Sequence, residues 1–335
     1  MSAEGRSLTN ALMRAGETAR RAPSVHNTQP WRWRVRPDRL ELFAVRERQL
    51  SGADPDRRLL AVSCGAALHH ARVALAAEGW SVRVERLPDS ARPDLLANLI
   101  VTDQGPASAD AVRLVRCVPQ RRTDRRPVRD EEAPAGAVDA IVAAATAERA
   151  RLQVLTDDQV LELAAAAVTA AAVEAEDPQL RDELQYWTSR AAVRGAGLPA
   201  EVLPERAAQT TVPARDFGRA GTLPIGPGHD RGAVYALLFG DDDEPESRLR
   251  AGEALSAAWL TATDLGVSMV PLSGVVEVLA TRQTLRRVLA GLGYPYLVLR
   301  LGIADPAHPE PSGRTPRLPA EQVLDTSPVS GGKMR

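Results

Sequence analysis

The amino-acid sequence predicts an α+β protein, duplicated within one chain as an intertwined pseudo-dimer with a lid segment. Three observations predict this fold class. Helical and strand-like patterns succeed one another without the strict alternation of a parallel α/β protein. Two alanine-rich helical segments match at a constant offset of 187 residues, as from Gly65 to Gly252. A long stretch at 177–230 is rich in glycine and proline, which is typical of a functional lid.

Composition and charge restrict the possible function classes. The chain has 335 residues, 44% of them hydrophobic and 25% charged, which is typical of a globular protein and excludes a disordered chain. This length corresponds to about two domains. A formal net charge of −1 argues against a nucleic-acid binder. No signal-peptide core and no run of about 18 uncharged apolar residues occurs, so we expect a cytoplasmic protein without a membrane span.

Cysteine and arginine usage add two expectations. Cys64 and Cys117 are the only cysteines, which excludes a disulfide framework and a cysteine-only zinc site, and no metal is expected. Lys333 is the only lysine, so nearly all positive charge belongs to arginine. Codon bias in a GC-rich genome explains most of this excess. The alternative, arginine that binds anions through two parallel hydrogen bonds, applies only to particular sites.

The first part of the chain is predicted to alternate between helices and paired strands. Apolar residues such as Leu8 and Leu12 recur at helical spacing, whereas Trp31, Trp33 and Val35 alternate as in a strand. The predicted elements are a helix at 7–21, a strand pair at 31–35 and 40–44, a helix at 59–79, strands at 82–84 and 98–102, and a helix at 110–120.

The rest of the chain is predicted to contain further elements on both sides of the lid. The spacing of Leu161, Leu163 and Val168 favours an amphipathic helix over low complexity, despite many alanines. Apolar side chains such as Trp187 and Phe217 indicate that the lid is packed. The predicted elements are a helix at 136–149, a strand at 152–156, a helix at 157–176, a strand at 233–239, an acidic turn at 241–246, a helix at 247–266, a strand at 296–303 and an extended tail at 304–335.

The internal repeat relates the helical segment at 62–81 to the one at 249–268. The shared residues are small or apolar, so a chance match of two alanine-rich helices is the alternative to a duplication. A duplication predicts two related halves, at 1–115 and 116–335. The aligned residues are Gly65, Ala67, Leu68, Ala71, Gly79 and Ser81 in the first segment and Gly252, Ala254, Leu255, Ala258, Gly266 and Ser268 in the second.

The most distinctive segment is the loop APSVHNTQPW at 22–31. Two prolines bracket a hydroxyl, an imidazole and two carboxamides, and such a loop can satisfy a ligand with many donors and acceptors. The alternative is a capping turn that leads into the strand at Trp31. The residues alone leave both interpretations open.

This loop resembles the flavin-contacting loop of the nitroreductase superfamily. Four further segments resemble that superfamily: its R-R-[ST]-x-R motif at 121–126, its central helix and P-x-x-G turn at 251–274, its late core strand at 289–302 and its basic C-terminal contact at 313–319. The resemblance extends over most of the chain. Its closest form is the Acg-type subgroup, whose members are single chains with two nitroreductase-like halves.

The resemblance implies an FMN-binding protein in which the flavin carries the chemistry, so no catalytic side chain is expected. The phosphate candidates are Arg121, Arg125, Arg314 and Arg317, and Thr123 would bind the ribityl chain or the ring edge. A backbone N–H of the P-x-x-G turn would lie near flavin N5, and His26 would be structural. The implied cofactor-binding residues are Ser24, Val25, His26, Asn27, Gln29, Arg121, Arg122, Thr123, Arg125, Pro271, Leu272, Ser273, Gly274, Arg314 and Arg317.

The distribution of these motifs predicts one FMN per chain. The P-S-x-x-N loop occurs only in the first half, and the arginine motif and basic tail occur only in the second. Shifting the loop by the repeat offset leads to TTVPARDF at 210–217, which does not match. One composite site can therefore form, and its symmetry mate cannot.

The resemblance implies an FMN-dependent oxidoreductase. NAD(P)H would reduce FMN, and the flavin would pass two electrons to a nitroaromatic, quinone or similar small molecule. The alternative is a protein that stores or sequesters FMN, since a lid over the flavin would exclude nicotinamide. A decayed site would give colourless protein. We expect a monomer without nucleic-acid or membrane partners, because the fused halves already bury the ancestral interface.

Four weaker signals remain. GAGLPA at 195–200 matches a dinucleotide-binding pattern but follows no predicted strand. His69 and His70 point about 100° apart on a helix and cannot chelate a metal together. The acidic turn at 241–246 is expected to be solvated rather than to bind a cation. Cys117 lies close to basic residues in the sequence, which predicts a lowered pKa for its thiol.

Overall fold

The computed structural model describes residues 3–189, 195–226, 228–305 and 314–327. The first half contains the predicted helices and strands, with bounds shifted by a few residues. Its elements, in chain order, are α1 (Ala3–Ala19), β1 (Trp31–Val35), β2 (Arg39–Ala44), α2 (Arg58–Ala77), β3 (Trp80–Arg86), β4 (Leu95–Gln104) and α3 (Ala109–Cys117).

The second half is longer and more irregular. Its elements are α4 (Ala137–Ala147), β5 (Arg151–Val154), α5 (Asp157–Glu176), α6 (Pro178–Ser189), β6 (Val234–Gly240), α7 (Pro245–Asp264), β7 (Ser268–Leu272), α8 (Gly274–Glu277), α9 (Leu279–Val288), β8 (Tyr294–Gly302), α10 (Ala320–Val323) and β9 (Leu324–Asp325).

Two of the helices that line the site are capped by side chains at their N-termini. α5 begins with a capping box, in which the Thr156 hydroxyl accepts the N–H of Gln159 and the Gln159 side chain accepts the N–H of Thr156. α2 is preceded by Asp54, whose carboxylate accepts the N–H of Leu60 at 2.8 Å. Burial raises the pKa of Asp54 to about 6.

The two sheets share one strand arrangement. Their orders are β3-β4-β2-β1-β9 and β5-β6-β8-β7. In the first sheet, β2 pairs antiparallel with β4, and β3 lies at the edge beside β4. In the second sheet, β6 pairs antiparallel with β8, and β7 lies at the edge beside β8. In each sheet a long helix follows the first strand of this set. That helix is α2 in the first half and α7 in the second. The mixed architecture confirms the predicted α+β class, and the shared strand order is what a duplicated unit produces.

The two helices that match in sequence pack directly against each other. A Cβ atom on Gly65 would lie 1.9 Å from the carbonyl oxygen of Leu249, and one on Gly252 would lie 2.0 Å from that of Val62. Only glycine permits the two backbones to approach so closely. Each contact is the counterpart of the other at the offset of 187 residues. Reciprocal contacts of this kind arise between units related by a two-fold axis.

The second half also contributes a strand to the sheet of the first half. β9 pairs in parallel with β1, with Leu324 opposite Trp33, so the C-terminal tail returns to the sheet of the first half. The first half joins β1 to β2 by a short hairpin turn, whereas the second half places α5 and the whole predicted lid segment, which includes α6, between β5 and β6. The lid is thus an insertion into one of two equivalent hairpins.

The prediction that 177–230 is turn-rich throughout is wrong, because the first part of this segment is the helix α6. The Asp177 carboxylate accepts the N–H of Gln179 at 2.8 Å, and Pro178 occupies the first helical position, where its missing N–H costs nothing. Residues 190–194 and Pro227 lie outside the described residues. The glycines and prolines concentrate after Gly195, and this part is indeed irregular.

Besides α6, five further elements were not predicted: β7, α8, α9, α10 and β9. The P-x-x-G segment begins as the strand β7, which tolerates Pro271 because β7 lies at the edge of its sheet. The helix α9 follows it, and one of its few apolar residues, Leu279, is exposed. The tail predicted as extended at 304–335 contains α10 and β9. Its residues 306–313 and 328–335 lie outside the described part.

The helix α2 is long and apolar enough to cross a membrane by length and composition alone. However, 83% of its apolar window is buried inside the protein. It packs against α7 and the first sheet, as a core helix does.

Candidate functional site

A cavity of about 250 Å³ lies between the two halves of the chain. Its walls come from the loop at 23–27, the arginine segment after α3, the helices α2, α5 and α7, the end of β7 and the irregular part of the lid. Gln29 does not line it. The other sequence-predicted residues all do: Ser24, Val25, His26, Asn27, Arg121, Arg122, Thr123, Arg125, Pro271, Leu272, Ser273, Gly274, Arg314 and Arg317.

The loop that carries the P-S-x-x-N motif is held in an unusual backbone conformation. His26, Asn27 and Gln29 have positive φ angles of 48°, 56° and 49°, which residues other than glycine rarely adopt. The Ser24 hydroxyl accepts the N–H of Gln29 at 2.9 Å and closes the turn. Strained backbone of this kind persists where the surrounding structure fixes it, and it is concentrated at functional sites.

The two carboxamide side chains of this loop form hydrogen bonds with backbone groups of the protein. The Asn27 side chain donates to the carbonyl oxygens of Gly197 and Pro316 at 3.1 and 2.9 Å. The Gln29 side chain donates to the carbonyl of Gly195 at 2.8 Å and accepts the N–H of Leu318 at 3.0 Å. The placement of Gln29 against a ligand is therefore wrong. It joins the loop to the lid and the tail.

Three partly buried guanidinium groups line the cavity, and none has a carboxylate partner among the described residues. Burial, and then the proximity of Arg317, lowers the pKa of Arg121 to about 9. Burial likewise lowers the pKa of Arg125 to about 10 and that of Arg317 to about 10. Their hydrogen bonds go to neutral groups: Arg121 and Arg317 both donate to the carbonyl of Arg21, and Arg125 donates to that of Val202.

This arrangement fits an anionic group such as a phosphate. The Nε atoms of Arg121 and Arg317 are buried and have no hydrogen-bond partner within the described ranges. The Arg121 guanidinium lies over the Trp259 ring, 4.4 Å from its centroid, which fixes its orientation. Arg314 donates to the carbonyl of Pro119 at 2.7 Å and lies at the exposed side of the cluster. A dianion would supply the charge that this cluster lacks, since guanidinium groups bind phosphate through two parallel hydrogen bonds.

The remaining walls of the cavity are largely apolar. Leu255 and Trp259 of α7 and Leu59 and Val62 of α2 face it from the core. On α5, a helical face of small residues, Ala167, Ala170 and Ala171, lies on another side. A flat, mostly apolar molecule with one anionic end therefore matches the cavity, and FMN has this shape and charge.

The irregular part of the predicted lid lines the cavity through residues such as Leu198, Val202 and Phe217. Leu198 and Val202 form a small apolar cluster against which Phe217 packs. The Arg125 guanidinium lies 5.1 Å from the centroid of the Phe217 ring. The Leu198 N–H donates to the carbonyl of Trp187 at 2.8 Å, which connects this segment to α6.

A charged cluster at the cavity edge was not predicted from the sequence. The guanidinium of Arg215 lies 3.1 Å from a carboxylate oxygen of Glu174, 2.8 Å from one of Glu277 and 3.2 Å from Nε2 of His26. Burial, and then the charge of Arg215, lowers the pKa of His26 to about 3, so this imidazole is neutral. It accepts from Arg215, in the structural role expected of it. These four residues lie on four separate segments, and no sequence motif connects them.

The weaker sequence signals have structural explanations. The predicted lowering of the Cys117 thiol pKa is wrong, because burial and the nearby Asp264 carboxylate raise it. His69 and His70 are buried, and the Nδ1 atoms of both contact the Ser256 hydroxyl, at 2.8 and 2.9 Å. In the acidic turn, Asp243 forms ion pairs with arginines. Within the described ranges, no group of three or more His, Cys, Asp or Glu side chains is arranged to hold a metal.

Comparison with known proteins gives relatives over nearly the whole chain, although no family model matches it. In Mycobacterium tuberculosis (strain ATCC 25618 / H37Rv), the provisionally named NAD(P)H nitroreductase Rv3131 is 39% identical over 91% of this chain and 88% of its own length. The protein of the same organism provisionally named NAD(P)H nitroreductase acg is 35% identical over 94% of this chain and 96% of its own.

Solved nitroreductase structures resemble part of the chain at low similarity. The FMN-dependent nitroreductase NfnB from Mycobacterium smegmatis, in complex with NADPH, is 19% identical, covers 65% of this chain and 99% of its own, and has a TM-score of 0.42. A nitroreductase with bound FMN from Bacteroides fragilis is 13% identical, covers 66% and 97%, and has a TM-score of 0.37.

Proposed function

Because this chain belongs to the nitroreductase family that includes the acg protein, we propose that it is an FMN-dependent oxidoreductase. It passes two electrons from NAD(P)H, through the flavin, to a nitroaromatic, quinone or similar small molecule. The observation that carries the proposal is the cavity with three partly buried guanidinium groups that lack a carboxylate partner among the described residues. Its relatives are named as NAD(P)H nitroreductases, which supports the donor.

The chain's own residues would bind the cofactor at its charged end. Arg121, Arg317 and Arg314 would hold the FMN phosphate, and Arg125 with Thr123 would face the ribityl chain or the ring edge. Leu272, Ser273 and Gly274 would support the ring. When bound, FMN supplies the two-electron redox chemistry. The protein contributes position, charge compensation and the exclusion of water beneath the lid.

We propose that the chain holds a single FMN, because the symmetry-related position is filled. The offset that relates the halves carries Trp259 to Arg72 and Ser273 to Arg86. Both arginines bind the fully buried Glu253: Arg72 lies 2.7 Å and Arg86 2.8 Å from its oxygens. Arg72 also pairs with Glu148 at 2.6 Å. Buried ion pairs thus stand where a second flavin would need an aromatic wall and a flat support.

The division into halves at 1–115 and 116–335 and the monomeric state are parts of the same proposal. Each half supplies a sheet and one of the two central helices, and the tail returns to the first sheet. The interface that two separate subunits would share is therefore already internal. The described cysteines, Cys64 and Cys117, are free and buried, which agrees with a reducing compartment, and we place the protein in the cytoplasm.

Anaerobic mixing with NADH or NADPH tests this function. The purified protein is expected to be yellow, and its flavin absorbance should bleach rapidly with one of the two nucleotides and return when a quinone or nitroaromatic is added. Flavin that bleaches with dithionite but with neither nucleotide would contradict the oxidoreductase and support storage of FMN. Colourless protein that binds no added FMN would contradict both.

A further inference from the structure

Glu174, near the C-terminal end of α5, is a buried carboxyl group at the wall of the cavity. The residue is 9% exposed and lines the cavity. Its Oε2 lies 3.1 Å from Nε of Arg215, whereas its Oε1 is buried and has no hydrogen-bond partner among the described residues. Oε1 lies beside Gly274, where a Cβ atom would be only 2.9 Å away. Oε1 of Glu174 thus lies beside the segment proposed to support the flavin, and no described hydrogen bond of the fold uses it.

The charges around Glu174 favour its protonated form. Arg215 lies between two buried carboxyl groups, since it is also 2.8 Å from Glu277. Burial acts to raise the pKa of Glu277, but the charge of Arg215 holds this pKa below its ordinary value. One guanidinium cannot neutralise both carboxylates, and the negative charge of Asp216 adds to that of Glu277. Burial, only partly offset by Arg215, raises the pKa of Glu174 to about 7.

The neighbouring groups do not offer an alternative proton. His26 is held neutral, with a pKa lowered to about 3. Arg215 keeps its proton, because the two carboxyl groups raise its pKa despite burial, and Glu183 of α6 acts in the same direction. Of the titratable groups in this cluster, Glu174 is therefore the one that can gain or lose a proton near neutral pH.

The same face of α5 leaves room for a flat molecule. Ala167, Ala170 and Ala171 lie one helical turn or two before Glu174 and line the cavity with it. Their methyl groups let a planar acceptor lie against the helix, beside a flavin ring that is supported by the segment from Leu272 to Gly274. An oxygen at the edge of such an acceptor would lie near Oε1 of Glu174. Ala171 is exposed, so solvent has access close to this carboxyl group.

We propose that Glu174 is the acid that protonates a quinone-type acceptor bound against the alanine face of α5. This assignment rests on the proposed function. Conversion of a quinone to a hydroquinone takes up two electrons and two protons. The electrons and one proton come from the flavin, which nicotinamide has reduced. The second proton passes from Oε1 of Glu174 to a quinone oxygen, where an O–H bond forms as the carboxyl O–H bond breaks, and the carboxylate regains a proton from solvent.

The substitution Glu174→Gln tests the assignment, with Glu176→Gln as its matched control. Glu176 lies on the same helix and is exposed. Glu174→Gln is expected to bind FMN and to be reduced by nicotinamide as the wild type is, but kcat for quinone reduction should fall about a hundredfold. The wild-type rate should decline as the pH rises through about 7, because the acid form is the active one, and this decline should be absent in Glu174→Gln.

Infrared difference spectra between about pH 6 and pH 8 provide a readout that does not depend on activity. Wild-type protein and Glu176→Gln should show protonated carboxyl absorption that disappears at the higher pH. Glu174→Gln should lose the part of it that titrates near pH 7 and keep the part from Asp54, whose pKa is about 6. An unchanged band in Glu174→Gln overturns the assignment, as does a quinone rate and pH profile equal to those of Glu176→Gln. Colourless protein refutes the proposed function instead, and the infrared band still decides whether Glu174 holds the proton.

Discussion

Replacement of Arg121 by methionine is expected to weaken FMN binding about a hundredfold and, at the same time, to stabilise the flavin-free protein. The two effects have one cause. Arg121 is a partly buried cation whose Nε atom is inaccessible to solvent and which has no carboxylate partner in the described part of the chain, and burial lowers its pKa to about 9. Such a charge destabilises the fold by several kcal/mol until an anion compensates it.

The magnitude of this effect follows from the charge-assisted contacts that the phosphate loses. Removing one buried guanidinium from a phosphate costs about 3 kcal/mol, which corresponds to roughly a hundredfold in Kd. Methionine keeps apolar contact with the Trp259 ring, so no large void forms. The flavin-free variant should then unfold at a higher urea concentration than the flavin-free wild type.

Fluorescence titration with FMN and urea unfolding of the flavin-free protein measure the two effects. The control is Arg116→Met, which changes an exposed arginine on the neighbouring helix α3 and should alter neither quantity. An unchanged Kd for Arg121→Met would remove Arg121 from the phosphate site. A loss of stability in the flavin-free form would show that Arg121 has a purely structural role.

Replacement of Gly65 by alanine is expected to destabilise the protein by about 3 kcal/mol or more. The added methyl group would overlap the carbonyl of Leu249, at 1.9 Å, and backbone cannot yield as a side chain can. α2 and α7 would have to separate along their contact. Because both helices also line the cavity, FMN affinity should fall together with stability.

Two further glycine variants make this prediction specific. Gly252→Ala should have a similar effect, because its methyl group would lie 2.0 Å from the carbonyl of Val62. Gly105→Ala should be close to neutral, since nothing lies within 4 Å of its Cβ position. Denaturant unfolding provides the comparison. Alanine in a helix interior normally stabilises by about 1 kcal/mol relative to glycine, so a stabilised Gly65→Ala would refute the close helix contact.

Nearly all of the predicted site residues line the cavity, because they lie in contiguous motifs. The loop before Trp31, the arginine segment and the P-x-x-G segment each place several residues around one space. Their composition alone could not show that the Gln29 carboxamide turns to the backbone of Gly195 and Leu318 rather than to a ligand. Both environments offer a carboxamide the same donors and acceptors, and only the fold distinguishes them.

The parts that sequence reasoning missed depend on contacts between distant segments. Glu174 lies in an alanine-rich helix whose pattern does not tell which face meets a cavity, and Arg215 and Glu277 have no neighbouring motif. β7 was hidden because Pro271 disfavours a strand unless that strand is at an edge, and edge position is a property of the whole sheet. The sequence likewise could not tell which of the many arginines bind an anion. Only the structure shows that Arg121 lines the cavity whereas other arginines are solvated.

We propose that two unequal halves of one chain form a single FMN site. Equilibrium titration of the flavin-free protein with FMN, followed by flavin fluorescence at a protein concentration well above Kd, tests it most directly. We predict saturation at one equivalent of FMN per chain, and the same end point for Arg72→Met, which alters the symmetry-related position. Saturation at two equivalents in the wild-type protein would contradict the account.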